Sequence, residues 1–355
     1  MAADKKKEEA RRDVYDDIAV STRIRLARNL ADIPFPGRMS DEQAEEILEK
    51  VSGLFRPLAD GARFHTVRLT KENRLEARVL VEKHLISPEF AGSDRPHGVI
   101  LSEERGVSVM VGEEDHIRIQ TIGPGLCLEE RMQEAQRVDE VIDGGLPYAF
   151  DGDFGYLTSC PTNLGTALRA SVMLHLPALT ESGAIREIIA AVGKMGLAVR
   201  GLYGEGSQVQ GALYQVSNQA TMGLAESEII SRVTIVVERI VEQERALRAR
   251  FKSQRPVRFG DRVWRAWGLL AYARLLPGEE TMRLLSDLRW GVAEGELPPV
   301  PMARLNDLLR DIQPGVLANA AGRMLDAGAR DAARADAVRA ALAAVNAKEW
   351  KRNDV

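Results

Sequence analysis

The hydrophobic pattern of this 355-residue chain changes once, in the polar stretch FKSQRPVRFGDR at residues 251–262. Before this stretch, short alternating segments typical of strands are mixed with helical patterns, whereas almost every later segment has helical periodicity. A chain of this length commonly forms about two domains. The change therefore predicts a larger first domain at residues 18–250 and an all-helical C-terminal domain at 251–355, after a flexible N-terminal tail at 1–17.

The first domain has the sequence pattern of an antiparallel sheet. Gly98–Leu101 and Val107–Val111 have strand patterns, and Glu103–Gly106 between them predicts a hairpin turn. Ser40 with Gln43 three residues later predicts the start of a helix. Because no regular strand–helix–strand rhythm is present, the sequence favours an α+β fold, with a mainly antiparallel sheet flanked by helices.

The overall charge excludes a broad electrostatic attraction to polyanions. The chain has 48 Lys and Arg against 52 Asp and Glu, a net charge of −4. This balance argues against nucleic acid or an anionic membrane as a partner. No apolar stretch approaches the roughly 20 residues of a membrane span, and the charged N-terminus lacks the apolar segment of a secretory signal. With only two cysteines, the chain is predicted to be cytoplasmic with free thiols.

Several arginines occur in or beside predicted strands. Arg23 and Arg25 fall on one face of an extended segment because strand side chains alternate. Arg118, Arg169 and Arg200 accompany three further strand patterns. A guanidinium is permanently charged and its planar fork suits phosphate oxygens, so arginines directed at one cleft would hold a nucleoside triphosphate during phosphoryl transfer. The alternative is that each is an ordinary surface arginine.

The segment Glu113–Arg118 places three carboxylates, a histidine and an arginine in six residues. Carboxylates this close raise one another's pKa unless a cation lies between them, so a metal or a guanidinium is indicated. On a continuous strand, Glu114, His116 and Arg118 would share one face, and the other two carboxylates would point away. The alternative is an acidic loop tip followed by an edge strand.

A glycine-rich segment, Arg200–Ser207, contains a lone carboxylate, Glu205. Such a loop either closes a catalytic group over a substrate or is merely a turn. No P-loop motif, paired CxxC motif or nucleophile-elbow sequence is present, and the histidines lack metal-ligand spacing. The sequence therefore predicts no metal ligand directly from the protein.

Four segments together resemble the phosphagen (guanidino) kinase family: Ser21–Arg25, Glu113–Arg118, Cys160–Ser171 and Arg200–Glu205. Their order and approximate spacing match, and the run CPTNLGT is highly specific. The resemblance covers about Ile18 to Arg250 and implies a guanidino kinase catalytic fold that transfers phosphate from ATP, with Mg²⁺, to a guanidine.

The resemblance also implies site residues. Glu114 and Glu205 are expected to clamp the substrate guanidinium, Cys160 matches the reactive cysteine, and His84 the histidine near the adenine. A guanidinium has a pKa above ~12 and is not nucleophilic while protonated, so two carboxylates that orient it and accept its proton suit the reaction. The expected nucleotide-binding residues are Ser21, Thr22, Arg23, Ile24, Arg25, His84, Arg118, Arg169, Ala170, Ser171, Val172, Met173, Arg200, Gly201, Leu202, Tyr203, Gly204 and Glu205.

Kinases of small guanidines resemble one another in having a helical domain before the Ser-Thr-Arg segment, and here only 20 residues precede Ser21. A site without that cap would admit an arginine displayed on a protein. This arrangement, with Ala170–Pro177 and Gly201–Ser207, resembles the bacterial branch that phosphorylates arginine in proteins.

The C-terminal domain contains Arg330-Asp331-Ala332-Ala333-Arg334-Ala335. This matches the RDxxRA motif with which that branch binds phosphoarginine at a second, allosteric site, through Arg330, Asp331, Arg334 and Ala335. The two arginines are four apart on a predicted helix and therefore share a face. The alternative is a surface ion-pair pattern.

The leading hypothesis is a cytoplasmic, homodimeric protein-arginine kinase that uses ATP and Mg²⁺. The resemblance implies protein substrates with exposed arginines, and as partners Clp unfoldase and protease components, a heat-shock repressor and an activator protein. Two alternatives remain, a kinase of free arginine or another small guanidine, and a non-catalytic phosphoarginine-binding adaptor.

Overall fold

The computed structural model describes residues 14–55, 63–102, 104–201, 210–343 and 345. Its main feature is an eight-stranded sheet in the order β2-β3-β4-β5-β1-β8-β10-β9, in which every neighbouring pair is antiparallel. The predicted antiparallel architecture is therefore confirmed. The strands are β1 (Ala19–Arg28), β2 (His65–Arg68), β3 (Gly98–Ser102), β4 (Val107–Val111), β5 (Ile117–Pro124), β6 (Phe150–Asp151), β7 (Gly155–Tyr156), β8 (Leu168–His175), β9 (Leu197–Gly201) and β10 (Leu213–Asn218), of which β6 and β7 form a separate hairpin.

Helices flank the sheet and form the C-terminal part, as predicted. The helices are α1 (Asp41–Leu54), α2 (Arg74–Glu82), α3 (Pro88–Ala91), α4 (Leu128–Asp143), α5 (Pro177–Ser182), α6 (Ile185–Lys194), α7 (Glu226–Gln254), α8 (Pro256–Tyr272), α9 (Gly278–Ala293), α10 (Met302–Asp311), α11 (Pro314–Ala320) and α12 (Ala327–Ala343). Short 3₁₀ turns occur at Pro161–Asn163 and Gln210–Ala212. No helix in these described ranges is long and apolar enough to cross a membrane.

The start of α1 follows directly from its sequence. The Ser40 hydroxyl accepts a hydrogen bond from the Gln43 amide at 3.3 Å, and the Gln43 side chain accepts one from the Ser40 amide at 2.9 Å. This reciprocal capping box satisfies two amides that the first helical turn leaves free. The apolar positions of α1, which include Ile47 and Val51, then point into the core.

The main core lies between one face of the sheet and the helices behind it. Ile24 and Leu26 of β1 are fully buried in this core with Val138 of α4 and Val237 of α7. Because strand side chains alternate, the residues between them, such as Arg25, lie on the other face. The hydrophobic packing thus determines which face of the sheet is free for function.

The polar stretch at residues 251–262 is mostly helical. Helix α7 runs to Gln254 and α8 begins at Pro256, so the change in sequence character falls at a junction between two helices. Proline lacks an amide hydrogen, which disfavours it inside a helix but suits the first helical position. The sequence alone did not predict that α7 extends this far.

The helical part shares its core with the first part of the chain. A second hydrophobic cluster surrounds Trp290 and Leu288, and it includes Val20, Ala178 and Leu213 from the sheet region. The carbonyl oxygen of Asp17, the last residue of the predicted tail, accepts a hydrogen bond from Arg289 of α9 at 3.4 Å. The two parts are therefore packed together.

A buried polar network of the first part extends to this contact through His175. The fully buried Glu244 of α7 accepts hydrogen bonds from the amides of Ala178 and Leu179 and from the side chain of Arg248, at 2.8–3.0 Å. Arg248 in turn donates to the His175 carbonyl at 3.0 Å, and the His175 ring is 2.8 Å from the Ser286 hydroxyl of α9.

We expect Glu244→Ala to destabilise the protein strongly. Removing one member of a buried ion pair leaves the other charge uncompensated and costs about 3–5 kcal/mol. The matched control is Glu228→Ala on the same helix, since Glu228 pairs with Arg232 at the same i,i+4 spacing on the exposed surface. That change should cost about 0.5 kcal/mol or less. Urea unfolding compares the two, and equal losses would show that the burial of this pair has no energetic effect.

The stability of the protein should also depend on pH through His175. Burial, followed by the charges of Arg248, Arg289 and Arg262, lowers the pKa of His175 well below its ordinary 6.5. Between these two values the unfolded chain binds a proton that the folded protein does not. The stabilisation is therefore complete above the ordinary value and falls as the pH decreases, by about 1.4 kcal/mol per pH unit.

Unfolding free energies measured at about pH 7.5 and about pH 5.5 test this linkage. His175→Gln should reduce the pH dependence, whereas His65→Gln, at an exposed position on β2, should leave it unchanged. The assignment to His175 is wrong if both variants keep the full slope.

Candidate active site

Five arginines lie on one face of the sheet. Arg25 of β1 is directly opposite Arg169 of β8 on one side and Gln120 of β5 on the other. Residues that are opposite each other in an antiparallel pair have their side chains on the same face, as do residues two apart along a strand. Gln215 of β10 is opposite a residue of β8 on this face and is also opposite Arg200 of β9. Arg200 therefore lies on the same face. This arginine cluster consists of Arg23, Arg25, Arg118, Arg169 and Arg200.

The arginine cluster is strongly electropositive. Burial lowers the pKa of Arg25 well below its ordinary value, and the charges of Arg23, Arg118 and Arg169 lower it further. Burial also lowers the pKa of Arg23 to about 10. Within the described part of the chain, the buried Nε of Arg25 has no hydrogen-bond partner. A bound polyanion would supply both the missing negative charge and the missing acceptor.

The acidic segment before β5 is a bend, so the predicted strand alternation over residues 113–116 is wrong. Gly112 has a φ of +89°, which turns the chain, and β5 begins only at Ile117. Consequently both Glu113 and Glu114 reach Arg118, with nitrogen–oxygen distances of 2.5 Å and 3.1 Å. The loop-tip alternative is correct for these residues, although β5 lies inside the sheet between β4 and β1.

Asp115 and His116 are buried and structural. Asp115 accepts hydrogen bonds from the Asn29 side chain and from the Ser159 amide, both at 2.7 Å. The Nδ1 atom of His116 accepts from the Leu30 amide, while its Nε2 faces the carbonyl oxygen of Pro34. Asp115 thereby holds the chain immediately before Cys160, which the sequence pattern did not predict.

Glu114 lies at the rim of the arginine cluster. Its side chain is 45% exposed. Its negative charge also acts on Arg169 of β8, so Glu114 lies near Arg169 as well as Arg118. An exposed carboxylate beside a cluster of cations can receive a cationic group from outside. Its predicted counterpart Glu205 lies outside the described residues, so the pairing of the two carboxylates stays a prediction.

Cys160 borders the same cluster. It is half-buried at the start of the 3₁₀ turn Pro161–Asn163, with its sulfur 3.0 Å from the Thr162 hydroxyl. It lies close enough to Arg169 for the two charges to interact. A reactive role for Cys160 stays a prediction.

The other predicted nucleotide-binding residues are divided between the two faces. Ser21, Ser171 and Met173 share the face of the arginine cluster by strand alternation. Four others are buried on the opposite side of the strands, and the Thr22 hydroxyl donates to the Gly125 carbonyl at 2.7 Å. Gly201 ends β9, and residues 202–205 lie outside the described residues. The buried residues with side chains away from the cluster are Thr22, Ile24, Ala170 and Val172.

His84 lies at the edge of the cluster in an unusual backbone conformation. Its φ is +60°, in the left-handed region that side chains disfavour. The Gln120 side chain donates to the His84 carbonyl at 2.9 Å, and Gln120 is opposite Arg25 in the sheet. Burial, then the charges of Arg23 and Arg310, lowers the pKa of His84 to about 4. The sequence pattern did not predict Gln120, although it lies two residues after Arg118 on β5 and therefore on the same face.

In the RDxxRA segment of α12, Arg334 is buried. It donates from Nε to the Ile312 carbonyl at 3.1 Å, and from Nη1 to the Leu276 carbonyl and to Asp331, both at 2.6 Å. The surface ion-pair alternative is therefore wrong for Arg334. Arg330, one turn earlier, is more exposed, and Ala335 is fully buried. Binding of phosphoarginine here stays a prediction.

No group of three or more His, Cys, Asp or Glu residues that could hold a metal ion occurs in the described ranges. Mg²⁺ is commonly bound through substrate phosphates with only one or two carboxylates, so a nucleotide would have to supply most of its ligands.

Two family models match the chain. Residues 46–247 match the family described as ATP:guanido phosphotransferase, C-terminal catalytic domain. Residues 256–353 match the family described as Protein-arginine kinase McsB C-terminal domain. The sheet, the arginine cluster and these matches define a guanidino phosphotransferase.

Curated relatives and solved structures agree. The protein-arginine kinase of Brevibacillus brevis is 46% identical to this chain, and the match covers 94% of each protein. The protein-arginine kinase of Geobacillus stearothermophilus is 45% identical, and the match covers 92% of this chain and 90% of that protein. The substrate-free duplicated taurocyamine kinase of Schistosoma mansoni has a TM-score of 0.57 at 27% identity over 65% of this chain and 34% of that one. Lombricine kinase has a TM-score of 0.58 and 24% identity, and the match covers 66% of this chain and 68% of that one. It shows the same fold. The chain belongs to the ATP:guanido phosphotransferase family, among the protein-arginine kinases.

We expect alkylation to distinguish the two cysteines. Iodoacetamide should modify Cys160 in the native protein because its thiol is accessible beside Arg169, and leave Cys127 unmodified because Cys127 is only 7% exposed. Peptide mass spectrometry measures both sites, and unfolding in urea should make both reactive. Cys160→Ser is the control that should abolish native labelling. Equal labelling of both cysteines in the native protein would contradict the assignment.

Proposed function

We propose that the protein transfers the γ-phosphate of ATP to arginine side chains of other proteins. The observation that carries this proposal is the arginine cluster, whose like charges are held on one sheet face beside the exposed carboxylate of Glu114. A cationic surface suits a triphosphate, and a carboxylate at its rim suits a guanidinium. Both substrates of a guanidino kinase are thereby accommodated at one place.

The arginine cluster performs the electrostatic part of the reaction. The phosphates of ATP would lie against Arg25 and Arg169, and the unpartnered Nε of Arg25 would gain an acceptor. As the phosphoryl group leaves ADP, fixed guanidinium groups stabilise the charge that develops on its oxygens. Mg²⁺, bound mainly through the phosphates, would neutralise further charge between them.

The carboxylates perform the proton and positioning part. Glu114 would exchange its hydrogen bond to Arg118 for one to the incoming guanidinium, and Glu205 is the predicted second partner. A bond forms between a guanidinium nitrogen and the γ-phosphorus while the bond from that phosphorus to the bridging oxygen of ADP breaks. The proton lost by the nitrogen passes to a carboxylate, which acts as the general base. Alignment of the two substrates supplies much of the remaining acceleration.

The choice of a protein substrate rests on the relatives, which are named protein-arginine kinases over nearly the whole chain, and on the exposure of Glu114. The predicted homodimer, the cytoplasmic location, and the links to Clp components, a heat-shock repressor and an activator protein belong to this proposal as implications of the resemblance. The alternative is a kinase of free arginine, and the assay below distinguishes the two.

We expect Arg169→Ala to lower kcat about 10²- to 10³-fold, because it removes a fixed charge from the transition state. The assay incubates the protein with ATP, Mg²⁺ and an unfolded, arginine-rich protein, and mass spectrometry detects an acid-labile phosphate on arginine. Glu205→Ala should also abolish the product. Arg232→Ala, on the exposed surface of α7, is the matched control that should retain activity.

Two results would contradict the proposal. Rapid turnover of free L-arginine without modification of the protein would favour a small-guanidine kinase. Full activity of Glu205→Ala would remove that carboxylate from the mechanism.

A further inference from the structure

The helical part of the chain contacts the sheet region close to His84. Both carboxylate oxygens of Glu82, at the end of α2, accept hydrogen bonds from the amides of Gly315 and Val316 at 2.9 Å. Helix α11 starts there, so Glu82 satisfies two amides that the helix itself leaves free. The side chain of Glu82 is only 13% exposed, which strengthens such charge-assisted bonds.

This junction has no spare room. A Cβ atom placed on Gly315 would lie 2.8 Å from a carboxylate oxygen of Glu82 and 2.9 Å from the Arg78 side chain. Carbon atoms do not approach other heavy atoms this closely without displacement. The glycine is therefore needed for α11 to reach Glu82.

The junction is joined to the arginine cluster by a very short segment. His84 follows Glu82 by two residues and has the disfavoured left-handed backbone described above. The Gln120 side chain donates hydrogen bonds to the carbonyl oxygens of His84 and Leu85, at 2.9 Å and 3.1 Å. Gln120 is opposite Arg25 and so belongs to the face of the sheet that carries the cluster. The segment from Glu82 to Leu85 is therefore held by the helical part at Glu82 and by the sheet at His84 and Leu85.

The helical part also contributes charge at this place. Arg310, near the end of α10, lies close enough to His84 for the two groups to interact, as does Arg23 of the cluster. His84 thus lies near both a cation of the sheet and a cation of the helical part.

We propose that the helical part is a structural component of the nucleotide site: Glu82, anchored on Gly315 and Val316, is a positioning residue that fixes the His84 segment at the edge of the arginine cluster. This inference rests on the proposed function, because it takes the cluster as the phosphate site. Without the anchor, the His84 backbone can relax and the nucleotide loses a fixed wall of its pocket. Nucleotide affinity should fall, while binding of the protein substrate at the Glu114 rim should not.

The test measures ADP binding by calorimetry, together with the KM values for ATP and for the protein substrate. Glu82→Ala should weaken ADP binding and raise the KM for ATP about tenfold, with little change in kcat or in the KM for protein. Gly315→Ala should act in the same way because its methyl group would displace the Glu82 carboxylate. Since both changes break one contact, the double variant should bind ADP no more weakly than Glu82→Ala within about twofold.

The matched control is Glu76→Ala, an exposed glutamate on the same helix α2 that bonds only to Asn73 within the described residues. It should leave ADP binding unchanged. Glu82→Gln, which retains one acceptor oxygen, should show a smaller loss and serves if Glu82→Ala does not fold.

Three results would overturn the inference. These are unchanged ADP binding in Glu82→Ala and Gly315→Ala despite a lower Tm, fully additive losses in the double variant, or an equal loss in Glu76→Ala. Failure of the unchanged protein to bind ADP would instead refute the proposed function, so the two failures are distinguishable.

Discussion

Repulsion among guanidinium groups held on one face of the sheet is the interaction on which the site depends. Strand register places Arg25 beside Arg169 without regard to their charge. The arrangement persists because the opposite face of β1 is buried against helices, and apolar burial of side chains such as Ile24 and Leu26 contributes about 1.5–3 kcal/mol each. The core therefore stabilises a surface that is electrostatically unfavourable until an anion binds.

Two arginines of β1 show the difference between structural and functional charge. Arg28 is fully buried, pairs with Asp139 at 2.7 Å and has its guanidinium carbon 3.5 Å from the centre of the Tyr156 ring. Arg25, three residues earlier, lies among other cations, and its Nε has no partner among the residues that the structure describes. A folded protein normally provides a buried polar atom with a partner, so the Nε of Arg25 supports the proposal that a ligand binds at the cluster.

The sequence predicted features that depend on local pattern or on strand alternation. The capping box at Ser40, the antiparallel sheet and the shared face of Arg23 and Arg25 all follow from short-range rules. The choice between a strand and a loop tip at Glu113 and Glu114 stayed open because it depends on the positive φ of Gly112. The burial of Arg334 was missed because its partners, the carbonyls of Leu276 and Ile312, are distant in sequence and supply no local signal.

The contacts between the two parts of the chain are of two kinds, and together they explain why the helical part cannot be treated as an appended module. Apolar residues such as Val20 and Leu213 join its core, but apolar packing alone tolerates sliding. The buried polar contacts of His175 with Ser286 and of Glu82 with the amides that begin α11 have narrow distance and angle requirements, so a displacement leaves polar groups without partners. Hydrophobic burial thus supplies the affinity between the parts, whereas the polar contacts select one arrangement. In that arrangement the helical part meets both the end of β8 and the segment beside the arginine cluster.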